Sequence, residues 1–344
     1  MRYLITGGAG FLGINLVRYL LERGEQIRSL DIAPFDYPEM SRVEVIDGDI
    51  RDPAIAARAT AGVDVVVHCA AALPLCHRDE IFSTEVGGTR VLLECALASN
   101  VRRFIFISST AVYGIPDHHP IREDDPPHGV GPYGEAKIKA EEICREYRSK
   151  GLCVSMLRPK TFVGPERLGV FELLYSWAYE GRNFPVIGRG NNHYQLLDVE
   201  DLCQAVHLCA TSNPLLANED FNVGASRFGT LRQEFQAVLD HAGHGRKVIG
   251  FPAWPATMAL RFLRFIGASP LYPWVYDTMA KESVVSIGRI ESRLGFAPRY
   301  SSTQALTRNY DWYVLNRPKF ANKSGVTHRV PWDPGVLRFV RFFF

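Results

Sequence analysis

The stretch Arg2-Tyr-Leu-Ile-Thr-Gly-Gly-Ala-Gly-Phe-Leu-Gly13 limits what this chain can fold into more than any other. Tyr3, Leu4 and Ile5 form a short apolar run with strand character. Gly7, Gly10 and Gly13 follow at three-residue spacing, and Ile14, Leu16, Val17, Leu20 and Leu21 then recur at helical spacing up to Gly24. The pattern is strand, glycine turn, helix. Glycines let the backbone turn tightly and approach a diphosphate, which sits at the positive end of the helix. A second strand, from Gln26 to Leu30, ends at Asp31. A carboxylate there accepts hydrogen bonds from both hydroxyls of an adenosine ribose and repels a 2′-phosphate, so the cofactor expected is NAD.

Composition narrows the class. The 344 residues are enough for a large core in one domain or two intimate ones. A net charge of +2 gives no electrostatic case for a nucleic-acid partner. The seven cysteines include no C-x-x-C pair, so neither a metal site nor a disulfide framework is expected, and reduced thiols in the cytoplasm are. The N-terminus runs directly into a strand, which gives no sign of a signal peptide. The most apolar long stretch, 251–266, is broken by Pro252, Pro255, Arg261 and Arg264, which argues against a membrane span.

Further along, Val43–Ile46, Val63–His68, Phe104–Ile107 and Val154–Leu157 read as strands separated by helical segments, among them Glu80–Ser99 and Tyr133–Lys150. Continuous apolar strands joined by helices indicate an α/β fold with a doubly wound parallel sheet covered on both faces. We assign 1–165 and 196–224 to a Rossmann-like domain. Residues 166–195 and 225–315 form a smaller, mostly helical substrate lobe, and 316–344 a basic aromatic tail.

Tyr133 and Lys137 lie one helical turn apart and share a face. An ammonium near a phenol favours the phenolate, which makes Tyr133 a candidate general base. Ser109 follows a buried strand, where its hydroxyl meets a substrate oxygen. In an open parallel sheet, ligands bind at the carboxyl ends of strands, the edge to which Ser109, Tyr133 and the glycine turn all map.

With these pieces the chain resembles the extended short-chain dehydrogenase/reductases, in the NAD-dependent epimerase/dehydratase group. The matching runs are Thr6–Gly13, Asp31, Gly48–Asp52, His68–Ala71, Ser108–Gly114, Tyr133–Lys137, Arg158-Pro159, Val163–Pro165, Asp198–Asp201 and Leu294–Pro298, which together cover residues 1–315. The resemblance implies that Gly7, Gly10, Phe11, Leu12 and Gly13 hold the cofactor diphosphate. It implies that Asp49 and Ile50 contact the adenine, and that His68, Ala70, Ala71 and Pro159 line the cofactor. Lys137 also holds the nicotinamide ribose, while Tyr133 takes the proton of a substrate hydroxyl. A homodimer acting on a small-molecule substrate is expected with it.

Departures from the family pattern narrow the chemistry. Family 4,6-dehydratases carry an Asp-Glu pair just after the position of Ser109, where this chain has Thr110 and Ala111. Dehydration is therefore not expected. Nucleotide-sugar epimerases usually carry Asn at the position of Thr161 and clamp the substrate pyrophosphate with two arginines, positions held here by Tyr194 and Tyr276. Tyrosine has neither the charge nor the fork of a guanidinium. Arg182, Arg189 and His193 lie nearby as substitutes.

The expected activity is sugar epimerisation by transient oxidation, at C4 of a nucleotide- or carrier-linked sugar. The segment Val284–Pro298 also resembles the 3β-hydroxysteroid dehydrogenase branch, so a net dehydrogenase of a sterol or other lipid alcohol is the alternative. A non-catalytic NAD-binding regulatory protein is a third, which the intact Ser109, Tyr133 and Lys137 set opposes. The tail spaces Arg338 and Arg341 among Val336, Leu337, Phe339 and Val340. That suits peripheral contact with the inner face of a membrane, and equally packing on the body or on a second subunit, which is the commoner arrangement.

Overall fold

The apolar runs become a seven-stranded sheet in which every neighbouring pair is parallel. Its strands, in spatial order, are Asp220–Val223, Val154–Pro159, Arg103–Ile107, Val65–His68, Arg2–Thr6, Gln26–Asp31 and Glu44–Asp47. Strand order reverses between Arg2–Thr6 and Val65–His68, where Thr6 stands opposite His68. That switch point opens a crevice at the carboxyl ends of the two strands. The computed structural model describes residues 1–74, 76–252, 254, 258 and 279–320. Tyr276, most of 251–266 and the tail beyond Phe320 lie outside the described residues.

The chain forms two compact units. The first comprises Met1–Lys160, Val199–Gly224 and Val285–Pro298 and contains the sheet. Its core joins strand residues Leu4, Leu30, Val66, Phe104, Phe106 and Met156 to the helix residues Leu92, Leu93, Ala140 and Cys144. The helix Phe11–Leu21 buries Phe11, Leu12, Ile14, Leu16, Val17, Leu20 and Leu21 along the face that periodicity marks. The helix Pro53–Thr60 starts where the Asp52 carboxylate accepts from Ala54 N and Ile55 N, with Pro53 in its first turn.

The expected helix at Glu80–Ser99 differs in detail. It runs as Arg78–Phe82, a π-helical turn Ser83–Gly88, and Thr89–Ala98. At Gly88 a Cβ would stand 2.5 Å from Ile50 Cδ1, so a close approach of the turn to the core explains one of the two mid-helix glycines.

The second unit comprises Thr161–Asp198, Ala225–Val284 and Arg299–Phe344. Its core packs the helices Phe171–Tyr179, Leu231–His241 and Ser302–Asn316 through Phe171, Leu174, Tyr175, Phe235, Val238, Leu306, Tyr310 and Tyr313. Capping boxes at Thr230 and Ser301 begin two of these helices. A strand at Val248–Phe251, parallel to Phe184–Ile187, interrupts the region read from sequence as helical. Among the described residues no helix is long and apolar enough to cross a membrane.

Candidate active site

The turn after the first strand needs its glycines. Gly7 has φ +69°, and a Cβ on it would lie 2.8 Å from Ala70 N. A Cβ on Gly13 would lie 2.2 Å from Gly7 O. The turn is therefore a backbone cradle closed against the end of the Val65–His68 strand, where Ala70 N also donates to Thr6 Oγ1 at 3.2 Å. The helix behind it starts at Gly10, and among the described residues no side chain caps it. At the tip of the next strand, Asp31 accepts from Ala9 N and Ala33 N, both at 2.9 Å, which fixes its carboxylate. A bare cradle, a helix N-terminus and a held carboxylate fit a dinucleotide with a free ribose 2′-hydroxyl.

Other residues expected at the cofactor divide by orientation. Asp49 is half-buried and clamped by Arg51, whose Nε lies 2.9 Å from Oδ2; that hydrogen bond holds its carboxyl below the usual range. The side chain of Ile50 is 5% exposed and belongs to the core. His68 turns into the interior, where Nδ1 meets Thr6 Oγ1 at 2.8 Å and Nε2 meets Thr89 Oγ1 at 3.0 Å. Burial first, and the charge of Lys137 second, push its imidazole down to about 3, so it is neutral. Pro159 is buried at the end of its strand, opposite Val223. Ala71 is exposed.

Ser108 and Ser109 face opposite ways, as successive residues of extended chain do. Ser108 Oγ donates to the buried Glu141 at 2.7 Å. Ser109 caps the short turn Thr110–Tyr113, accepting from Ala111 N at 3.1 Å, and its hydroxyl is also within hydrogen-bonding reach of the Tyr133 phenol. Tyr133 and Lys137 lie on the helix Gly131–Ser149, the phenol in its first turn. Lys137 Nζ donates to Ile107 O at 2.9 Å and lies 5.8 Å from the Tyr133 ring centre.

Sequence reasoning missed the second partner of that ammonium. Glu85, on the π-helical turn, places Oε2 2.8 Å from Lys137 Nζ, with the two side chains 0% and 2% exposed. Its other oxygen accepts from Ala72 N at 3.1 Å. The signal available was Gly87-Gly88, a pair that a regular helix disfavours. The expectation for Tyr133 is corrected accordingly. Burial raises the phenol above the ordinary tyrosine value, and Lys137 lowers it only in part, because Glu85 opposes that effect.

The expected substrate residues divide between the units. Thr110 belongs to the turn after Ser109 in the first unit. In the second unit, the Tyr194 phenol hydrogen-bonds Thr161, and burial raises its proton affinity while Thr161 and the Arg167 charge work the other way. His193 is exposed and faces Glu282, Nδ1 to Oε2, at 3.3 Å. Tyr276 lies outside the described residues.

A family model described as the NAD dependent epimerase/dehydratase family matches residues 3–224. An uncharacterized protein, y4nG, of Sinorhizobium fredii is 34% identical over 338 residues, covering 97% of this chain and 84% of that one. A 3 beta-hydroxysteroid dehydrogenase/Delta 5-->4-isomerase of Mycobacterium tuberculosis is 28% identical over 350 residues, 94% of this chain and 93% of that one. Among solved structures, a UDP-glucose 4-epimerase of Thermotoga maritima with UDP-glucose superposes with a TM-score of 0.77 at 23% identity, over 92% of this chain and 100% of that one, a likeness of fold.

Proposed function

The chain belongs to the NAD dependent epimerase/dehydratase family, and from that footing we propose that it epimerises a sugar at a hydroxyl-bearing carbon, C4 of a nucleotide- or carrier-linked sugar. One observation carries the reading. A tyrosine phenol is held beside a serine hydroxyl and a lysine ammonium, while the turn that follows the serine offers Thr110 and Ala111 in place of an acid and a base. That set suits reversible oxidation of an alcohol and lacks the groups that eliminate water.

In this reading the cradle from Gly7 to Gly13, with Phe11 and Leu12, holds the cofactor diphosphate, and Asp31 takes the adenosine ribose. Asp49 and Ile50 border the adenine, residues 68–71 and Pro159 line the pocket, and Lys137 takes the nicotinamide ribose. Bound NAD supplies the acceptor and later the donor of hydride. Ser109 orients the substrate hydroxyl. Tyr133, as phenolate, takes its proton at Oη while the carbon becomes a ketone, and returns that proton once the ketone has presented its other face. Thr110, Thr161, His193, Tyr194 and Tyr276 are proposed to meet the substrate.

A second reading, net oxidation of a sterol-like alcohol, is favoured by the likeness to the mycobacterial dehydrogenase over nearly the whole chain and by a tyrosine, Tyr194, at an expected arginine position. Turnover of nucleotide sugars and of lipid alcohols, with NAD withheld and then added, separates the two. An epimerase converts its sugar using retained cofactor. A dehydrogenase consumes added NAD mole for mole. A protein that binds NAD and turns over neither class overturns both.

A further inference from the structure

The buried carboxylate of Glu85 has no part in the scheme above, yet it touches that scheme's central cation. Oε2 lies 2.8 Å from Lys137 Nζ and the other oxygen accepts from Ala72 N at 3.1 Å; burial raises the carboxyl above its ordinary value, and the Lys137 charge works against that. The turn that carries it is π-helical, and the Thr89 hydroxyl donates to its carbonyl at 2.5 Å. Glu85 lies four residues after the buried Ile81 and four before the buried Thr89, so it faces inward with them. Resting on the proposed oxidation chemistry, we propose that Glu85 is a positioning residue for the Tyr133–Lys137 pair: its carboxylate fixes the ammonium, offsets its charge, and so helps set the protonation of Tyr133.

The groups around the pair leave this role to Glu85. His68 is neutral, and burial drives the thiols of Cys69 and Cys144 up, so neither carries charge near neutral pH. Lys137 and Glu85 are then the charges acting on the phenol, with opposite sign. Burial disfavours the Lys137 ammonium, but the carboxylate beside it more than compensates and the lysine stays protonated. A tyrosine facing a bare ammonium loses its proton early; one facing an ion pair feels a much smaller field.

The test reads the tyrosine itself and needs no substrate. The full chain is labelled with 3-fluorotyrosine, which brings the phenol into an accessible pH range. The 19F signal absent from Tyr133→Phe is then titrated. Glu85→Gln keeps the shape and removes the charge, and should lower the Tyr133 midpoint by about one unit or more. An unchanged midpoint overturns the inference. Lys137→Met gives a second, independent reading. With its partner gone, Glu85 takes up a proton, and the midpoint should rise by less than about one unit; a rise of more than about two is the mark of a bare tyrosine–lysine pair and overturns the inference. Either result leaves the epimerase proposal standing or falling on its own turnover assay.

Discussion

At the scale of single residues, Tyr133 is the group whose removal is most informative. Tyr133→Phe keeps the ring and deletes the proton acceptor, so turnover should fall by about 10²–10⁴-fold while NAD affinity is kept. Steady-state kinetics beside cofactor titration checks this, and a near wild-type rate would remove Tyr133 from the chemistry. The sign of the pH dependence follows from the raised phenol. Oxidation needs the phenolate, so its rate should climb with pH through the neutral range towards the alkaline side. Reduction needs the protonated phenol and should be flat there. A pH–rate profile in both directions tests the pair of trends. Asp31, held by two backbone N–H groups, cannot swing away from an added phosphate. NAD should therefore bind at least tenfold tighter than NADP, and calorimetric titration of both decides it.

Between elements, the buried guanidinium of Arg158 does the joining in the first unit. It forks onto Glu141 at 2.8 and 2.7 Å, reaches Asp220 at 3.0 Å and the Tyr113 hydroxyl at 2.7 Å, and donates to Glu123 O at 3.0 Å. It thus ties two strands, a helix and the loop between Ser109 and Tyr133. Arg158→Met leaves Glu141 buried with a weaker set of partners and should cost about 3–5 kcal/mol, measured by urea unfolding. A loss below about 1 kcal/mol would make the network ornamental. Elements of this kind also show where sequence is legible. The parallel strands could be read because burial on both faces leaves continuous apolar runs such as Val65–His68. The glycine cradle and the Tyr133–Lys137 spacing could be read because backbone sterics and helical period are local rules. The Glu85–Lys137 pair could not, since helical spacing puts Glu85 on the buried face with Ile81 and Leu92 but no local rule names a partner on a helix far along the chain. The net shift of Tyr133 could not either, because burial is a property of the folded surroundings.

For the molecule as a whole, the order in which the chain visits its units matters. The family match ends at residue 224, but the first unit is completed only by Val285–Pro298. The helix Gly288–Leu294 in that return buries Ile290 and Leu294, and Arg293 pairs with Glu219 at 3.1 Å. Arg289 lies against Asp124 at 2.5 Å. A chain cut after Gly224 should therefore lose its cooperative thermal transition. Rejoining 285–298 through a Gly-Ser linker should restore one, and an unaltered melt of the cut chain would show the return segment to be dispensable. The same helix packs on Asp220–Val223, the outermost strand of the sheet on that side. On the ribosome, this strand emerges well before its cover. At about 5–20 residues per second, the stretch from Gly224 to Pro298 takes roughly 4–15 s to synthesise, and throughout it the nascent chain carries that strand without its helix, its outer edge met by Glu123, which accepts from Asn222 N at 2.9 Å. Nascent-chain chaperones that shield apolar surface would have their window on this protein in those seconds, before Ile290 and Leu294 arrive.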